Sequence, residues 1–219
     1  MTRPKIIIDP GHGGRDAGAV NEAFQLKEKE LALRTSLALA DSLRTLGWQV
    51  VLTRETDVFI PLADRPRFAN ERGGDLFVSI HYNAAQNPQA EGIEVFILTT
   101  PTAEEKEGSN LFPGHKHLAQ SMRLAWHLQH ALIRQTREVD RGVRRNRFAV
   151  LRDLQQPGVL VELGFLSHEP TARRLQRPET IAQLVNALVV GLESSVESDG
   201  DPTSDQMPSA TPSVSAERP

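Results

Sequence analysis

The chain has 219 residues, 39% of them apolar and 24% charged, with no cysteine and a formal net charge of −3. That length supports one domain with a substantial core. The lack of cysteine excludes disulfides, thiolate metal sites and cysteine nucleophiles. No apolar run reaches the length of a membrane span. Five acids against Arg218 between residues 194 and 219 leave the remainder near neutral, without the basic stripe of a nucleic-acid groove.

Met1-Thr2-Arg3-Pro4 carries no signal-peptide pattern and leads straight into Lys5-Ile6-Ile7-Ile8-Asp9, a β-branched run that predicts a buried strand. Pro10-Gly11-His12-Gly13-Gly14 then breaks it, placing a histidine just past a strand end. Leu33, Leu37, Ala40 and Leu43 recur at helical spacing after Lys27-Glu28-Lys29-Glu30, and Gly47 follows the last turn. Trp48 to Thr53 is the next strand, which completes a βαβ unit. Arg54 to Pro61 reads as a loop, Leu62 to Arg72 as a short helix, and Asp75 to Ile80 as a strand that delivers His81. Ile93 to Leu98 is a further strand, residues 99–116 are irregular, and a helix follows from about Leu118 to Arg134. On that helix His127 and His130 share a polar stripe with Gln120, Arg123 and Arg134, so the pair reads as surface. Arg141 to Arg145 reads as a basic turn and Gly158 to Phe165 as a strong strand. Short and long helices cover 169–176 and 178–192, and the Ser-, Pro- and acid-rich stretch from Ser194 predicts a disordered tail after a domain of residues 1–193.

Three groups with ligand chemistry follow element ends: His12, His81, and a glutamate at the start of the first helix. Two imidazoles and one carboxylate suit zinc better than magnesium or calcium. Glu28 and Glu30 compete for the carboxylate role, because residues two apart on a helix point to different sides. Glu162 lies inside the run Val159-Leu160-Val161, where a carboxylate is costly unless it is paired, bonded or kept neutral. Burial generally raises a carboxyl pKa, which suits a general base or acid. The competing reading is a structural ion pair with Arg141, Arg144 or Arg145. His115 and His117 read as surface residues, and His168 as a turn or helix start.

Ile7 to Gly14, Leu26 to Lys29, Thr53-Arg54, Leu76 to Ala84, Arg141-Gly142-Val143 and Leu160 to Ser167 occur in an order that resembles the zinc-dependent N-acetylmuramoyl-L-alanine amidases of the amidase_3 type. The resemblance runs from Lys5 to about Leu192. It implies a single α/β domain, a twisted, mostly parallel sheet with helices on both faces. It places His12, Glu28 and His81 at the positions of that family's zinc ligands, one ion per chain, and Glu162 at that of the catalytic glutamate. The implied reaction is hydrolysis of the amide between N-acetylmuramic acid and L-alanine in peptidoglycan, with zinc-activated water and a glutamate general base.

Two departures, Tyr82 and His168, suggest altered substrate contacts. The short stretch 99–116, with Glu104, Glu105 and Glu107, predicts an open site that needs no activator protein. The resemblance further implies a peptidoglycan substrate, no nucleic-acid partner, a monomer, and work in the periplasm or cell envelope. The glycines around His12 are expected to keep the backbone low so that a glycan strand reaches the metal. A zinc peptidase acting elsewhere in the stem peptide, or a wall-binding module without catalysis, are the rival readings.

Overall fold

A computed structural model describes residues 3–103, 106 and 111–198. Its first strand, β1 (Lys5–Pro10), runs parallel between β4 (Gln49–Leu52) and β5 (Leu76–Asn83). β8 (Gly158–Phe165) pairs parallel with β5 on its far side. β6 (Ile93–Leu98) then runs antiparallel against β8, and β7 (Asp140–Asn146) lies parallel to β6 at the edge. The sheet is therefore mostly parallel, in the order β4-β1-β5-β8-β6-β7. A two-residue ladder, β2 (Val20–Asn21) with β3 (Leu26–Lys27), folds the loop after β1 back on itself.

Strand alternation sorts the core into two layers. Ile6, Ile8, Val78, Ile80, Val159 and Val161 face helices α1 (Glu28–Thr45), α3 (Leu118–Thr136) and α6 (Pro178–Ser198), meeting Leu39, Leu128 and Leu188. Ile7, Phe77, Leu160 and Phe96 face the opposite way, against α2 (Asp64–Arg72) and α4 (Ala149–Arg152). Each such fully buried aliphatic or phenyl side chain stabilises the fold by about 1.5–3 kcal/mol. Helix α5 (Glu169–Leu175) links β8 to α6, and His168 stands at its N-cap, with Nδ1 bonded to Thr171 Oγ1 at 2.9 Å.

Three expectations change. The basic stretch at 141–145 is not a turn but part of β7: Glu94 on β6 takes Arg141 Nε at 2.9 Å and Arg144 Nε at 3.0 Å, which lets arginines sit on a sheet edge. Helix α2 starts at Asp64, and Leu62 instead lies 64% exposed in the preceding loop. Helix α6 runs to Ser198, past the expected helix end at 192, where Val196 packs one turn beyond Leu192 and Ser195 is buried. The rest of the acidic tail, 199–219, lies outside the described residues. Glu104, Glu105 and Glu107 lie outside them too.

Candidate metal centre and active site

The face of the sheet that carries Ile7 and Phe77 turns polar toward the carboxyl ends of its parallel strands, where open α/β sheets gather ligands. Asp9 is paired in register with Ser79, and His81 with Glu162. Beyond His81 the register shifts, so that Asn83 meets Phe165, a bulge of the kind that re-aims side chains beside sites.

His12 follows β1 in the left-handed conformation, φ 57°, which is strained for a residue with a Cβ. Buried guanidinium groups hold it there. Arg65, 3% exposed, donates to Asp9 Oδ1 (2.9 Å), to the carbonyl of Pro10 (2.8 Å) and to that of His12 (2.7 Å). Arg54 donates to the carbonyls of Pro10, Gly11 and Lys29. Asp9, fully buried, also accepts from Thr53 Oγ1 and Ser79 Oγ.

The nearby glycines make room for the protein's own atoms rather than for a glycan. A Cβ on Gly13, φ 127°, would collide with the carbonyl oxygen of Val58. One on Gly18 would lie 2.5 Å from Glu28 Oε2 and 2.7 Å from His12 Cδ2.

Glu28 opens α1 and is 5% exposed, whereas Glu30 faces outward, its side chain 57% exposed and 3.6 Å from Lys27 Nζ. His12 Nε2 approaches Glu28 Oε1 at 3.0 Å and His81 Nδ1 approaches it at 2.9 Å. The N–H of Tyr82 donates to Oε1 and that of Ala19 to Oε2, which fixes the carboxylate plane. Donor atoms of His12, Glu28 and His81 all lie within 4.8 Å of one another, a set that can hold a metal ion. Behind it, His12 Nδ1 meets Asp16 Oδ2 at 2.9 Å, the carboxylate–histidine arrangement that fixes a ligand's tautomer and ring.

The electrostatics follow. Burial pushes the Glu28 carboxyl up, but hydrogen bonds from His12 and His81 outweigh it and hold the group far below the usual carboxylate range. Burial pulls His12 down, yet its bonds to Glu28 and Asp16 leave it raised. The Asp16 carboxyl is lowered, since the bonds from His12 and the Gly18 N–H exceed its desolvation.

Glu162, 6% exposed, lines the same 470 Å³ cavity as His12, Glu28 and His81. Of the arginines that could have held it in a structural pair, Arg141 and Arg144 bind Glu94. The Tyr82 hydroxyl is buried against Thr35 Oγ1 at 2.7 Å although the residue lines the cavity, and His168 is 8% exposed at its helix cap, outside that lining. His127 and His130 lie on α3 beside Trp126, away from the cavity lining. His115 is in a 3-10 turn (Pro113–His117), half-buried against Phe112. Phe59 and Leu62 also line the cavity; neither was singled out in the sequence, where Phe59 fell in the loop and Leu62 was read into the following helix.

Residues 6–194 match the Amidase_3 family, described as N-acetylmuramoyl-L-alanine amidase. The chain is 35% identical over 189 residues to the uncharacterized protein YqiI of Bacillus subtilis, covering 86% of this chain and 83% of that one. It is 32% identical to the N-acetylmuramoyl-L-alanine amidase AmiC of Neisseria meningitidis, covering 87% of this chain but only 52% of AmiC. Among solved structures, an N-acetylmuramoyl-L-alanine amidase from Clostridium difficile 630 superposes with a TM-score of 0.80 at 32% identity, over 91% of this chain and 100% of that one. The order of the strands, the converging donors and these matches agree, and the chain belongs to the Amidase_3 family of N-acetylmuramoyl-L-alanine amidases.

Proposed function

We propose that this chain hydrolyses the amide joining the lactyl group of N-acetylmuramic acid to L-alanine in peptidoglycan, with His12, Glu28 and His81 holding one zinc ion and Glu162 carrying the proton. The observation that supports the reading best is the convergence of two imidazoles and one buried carboxylate within 4.8 Å, in the cavity that Glu162 also lines. That donor set fits a borderline-soft ion with a position left open. When bound, zinc supplies a Lewis acid that polarises the scissile carbonyl and acidifies water.

The protein's own groups do the rest. Glu28 brings the negative charge that offsets the cation, and its two backbone donors keep it from rotating away. Asp16 accepts from His12 Nδ1 and so leaves Nε2 as the ligating nitrogen. The Glu162 carboxylate takes a proton from the attacking water and hands it to the alanine nitrogen as the C–N bond breaks. No covalent enzyme intermediate is needed.

The purified chain acts as a monomer on peptidoglycan in the periplasm or cell envelope and without an activator. None of the described residues 99–103 or 111–117 lines the cavity, and no helix among the described residues is long and apolar enough to cross a membrane. The test is metal content by mass spectrometry together with hydrolysis of purified peptidoglycan. Wild type should carry one zinc and Glu162→Gln should retain it while losing about 10²–10⁴-fold in rate. Full hydrolysis by Glu162→Gln would remove that residue from the reaction.

A further inference from the structure

The loop between β4 and α2 carries Val58, Phe59 and Leu62, exposed by 48%, 37% and 64%. Scattered single apolar residues on a surface need no explanation, but three within five residues do when two of them, Phe59 and Leu62, line the cavity. The loop has no regular secondary structure, yet it is fastened. Lys29 Nζ binds Asp57 Oδ2 at 2.6 Å, the Gly14 N–H donates to Asp57 Oδ1 at 2.8 Å, and Arg54 Nη1 donates to the carbonyl of Thr56. The Arg15 guanidinium sits 4.2 Å from the centre of the Phe59 ring, a cation–π contact that fixes the ring. The anchors Lys29 and Gly14 belong to the segment that also supplies His12 and Glu28, so this lip is held rigidly against the metal site. A pre-organised apolar surface loses little freedom when it is covered, which is the property of a binding surface.

Two features of the sheet say which half of the substrate covers it. Glu162 is on β8, on the β6 and β7 side of His81, while the lip packs on the loop after β1, on the opposite side. The group that Glu162 protonates is the departing peptide nitrogen, so the peptide half leaves on the β6–β7 side. The acyl half, the muramyl sugar, is then over the lip. On the β6–β7 side Arg141 and Arg144 are both paired with Glu94, so that end presents a polar, charge-compensated surface suited to a peptide. Val58, Phe59 and Leu62 offer C–H and ring surface with the Arg15 guanidinium seated on Phe59, which suits the C–H faces and hydroxyls of a pyranose.

We propose that Phe59 and Leu62 bind the saccharide side of the scissile amide, so that the glycan strand crosses the site at the β1 end and the stem peptide at the β7 end. The proposal rests on the amidase reading and on Glu162 as the proton carrier, but its test does not need turnover. Binding of two separate probes, a peptide-free muramyl tetrasaccharide and a free stem tripeptide, is measured by calorimetry on the zinc-loaded full chain. Wild type is compared with Phe59→Ser and Leu62→Ser, with zinc content and melting temperature checked in parallel. Both side chains are on the surface, so the fold and the zinc content should stay as in wild type.

The expected result is a roughly tenfold loss of tetrasaccharide affinity in each variant, in the range for an apolar contact residue, with tripeptide affinity unchanged. Unchanged tetrasaccharide binding, loss of tripeptide binding instead, or no tetrasaccharide binding by wild type would each overturn the proposal. A failure of the amidase reading is seen separately, as wild type leaving the muramyl amide of whole peptidoglycan intact.

Discussion

Replacing Arg65 by leucine should destabilise the protein far more than its position on a short, nine-residue helix suggests. The side chain is 3% exposed and pairs with Asp9, which is fully buried, at 2.9 Å. Breaking a buried pair from one side leaves an uncompensated charge and costs about 3–5 kcal/mol. The carbonyl of Pro10 would keep Arg54 as a donor, whereas that of His12 would lose its bond from Arg65. For a domain of this size the loss corresponds to a fall in Tm of roughly 6–20 °C, at about 2–4 °C per kcal/mol. Arg67 on the same helix is an internal control. Its pair with Asp64 at 3.0 Å has 67% of the arginine side chain exposed, so Arg67→Leu should cost under about 0.5 kcal/mol. Equilibrium urea unfolding of both variants in the metal-free state measures the difference. Equal losses, or a loss under about 1 kcal/mol for Arg65→Leu, would refute the assignment of Arg65 as the clamp on the His12 loop.

Asp16→Asn should leave the fold intact but weaken zinc binding by about 10–100-fold, read by chelator competition, because the His12 ring loses its anionic partner. Zinc affinity should also fall on acidification, by about tenfold per pH unit for each protonated imidazole that must release its proton to ligate. With His12 raised above its ordinary value of 6.5, the fall should begin above that value. The metal-free protein should show the opposite trend at that site. A raised imidazole stabilises the fold fully below its unfolded pKa, and that contribution disappears as pH rises through the folded one. Tyr82→Phe should cost about 1–2 kcal/mol in urea unfolding, because Thr35 Oγ1 loses its 2.7 Å partner, and should leave kcat/KM unchanged. A change in kcat/KM there would place Tyr82 at the substrate after all.

Most of the strands, and the positions of His12 and His81 at their ends, were legible in the sequence for a local reason. β-Branched runs that stop at Asp-Pro-Gly or run into His-Tyr-Asn report where a parallel strand ends, and parallel strands end at the site. The choice of Glu28 over Glu30 was not readable from spacing. It depends on the N–H groups of Ala19 and Tyr82, one from the residue just before the short ladder and one from a strand more than fifty residues away. β7 was missed because Arg-Gly-Val-Arg-Arg has the composition of a turn, and only Glu94 on the neighbouring strand makes it a stable edge. Leu62 was read into the helix, but that helix starts at Asp64 and Leu62 lies in the preceding loop, lining the cavity. The glycines around His12 were expected to admit a glycan strand, and the atoms packed against Gly13 and Gly18 are those of Val58, Glu28 and His12. Pairings across the chain decide each of these points, and local pattern does not carry them.

The central claim is the bond that is cut. Zinc-loaded protein should be incubated with purified peptidoglycan and the soluble products examined by mass spectrometry and amino-terminal analysis. Intact stem peptides with a newly freed L-alanine amino group, alongside glycan strands stripped of peptide, are the predicted products. Stem peptides cut internally, with L-alanine still attached to the muramyl lactyl group, would contradict the account.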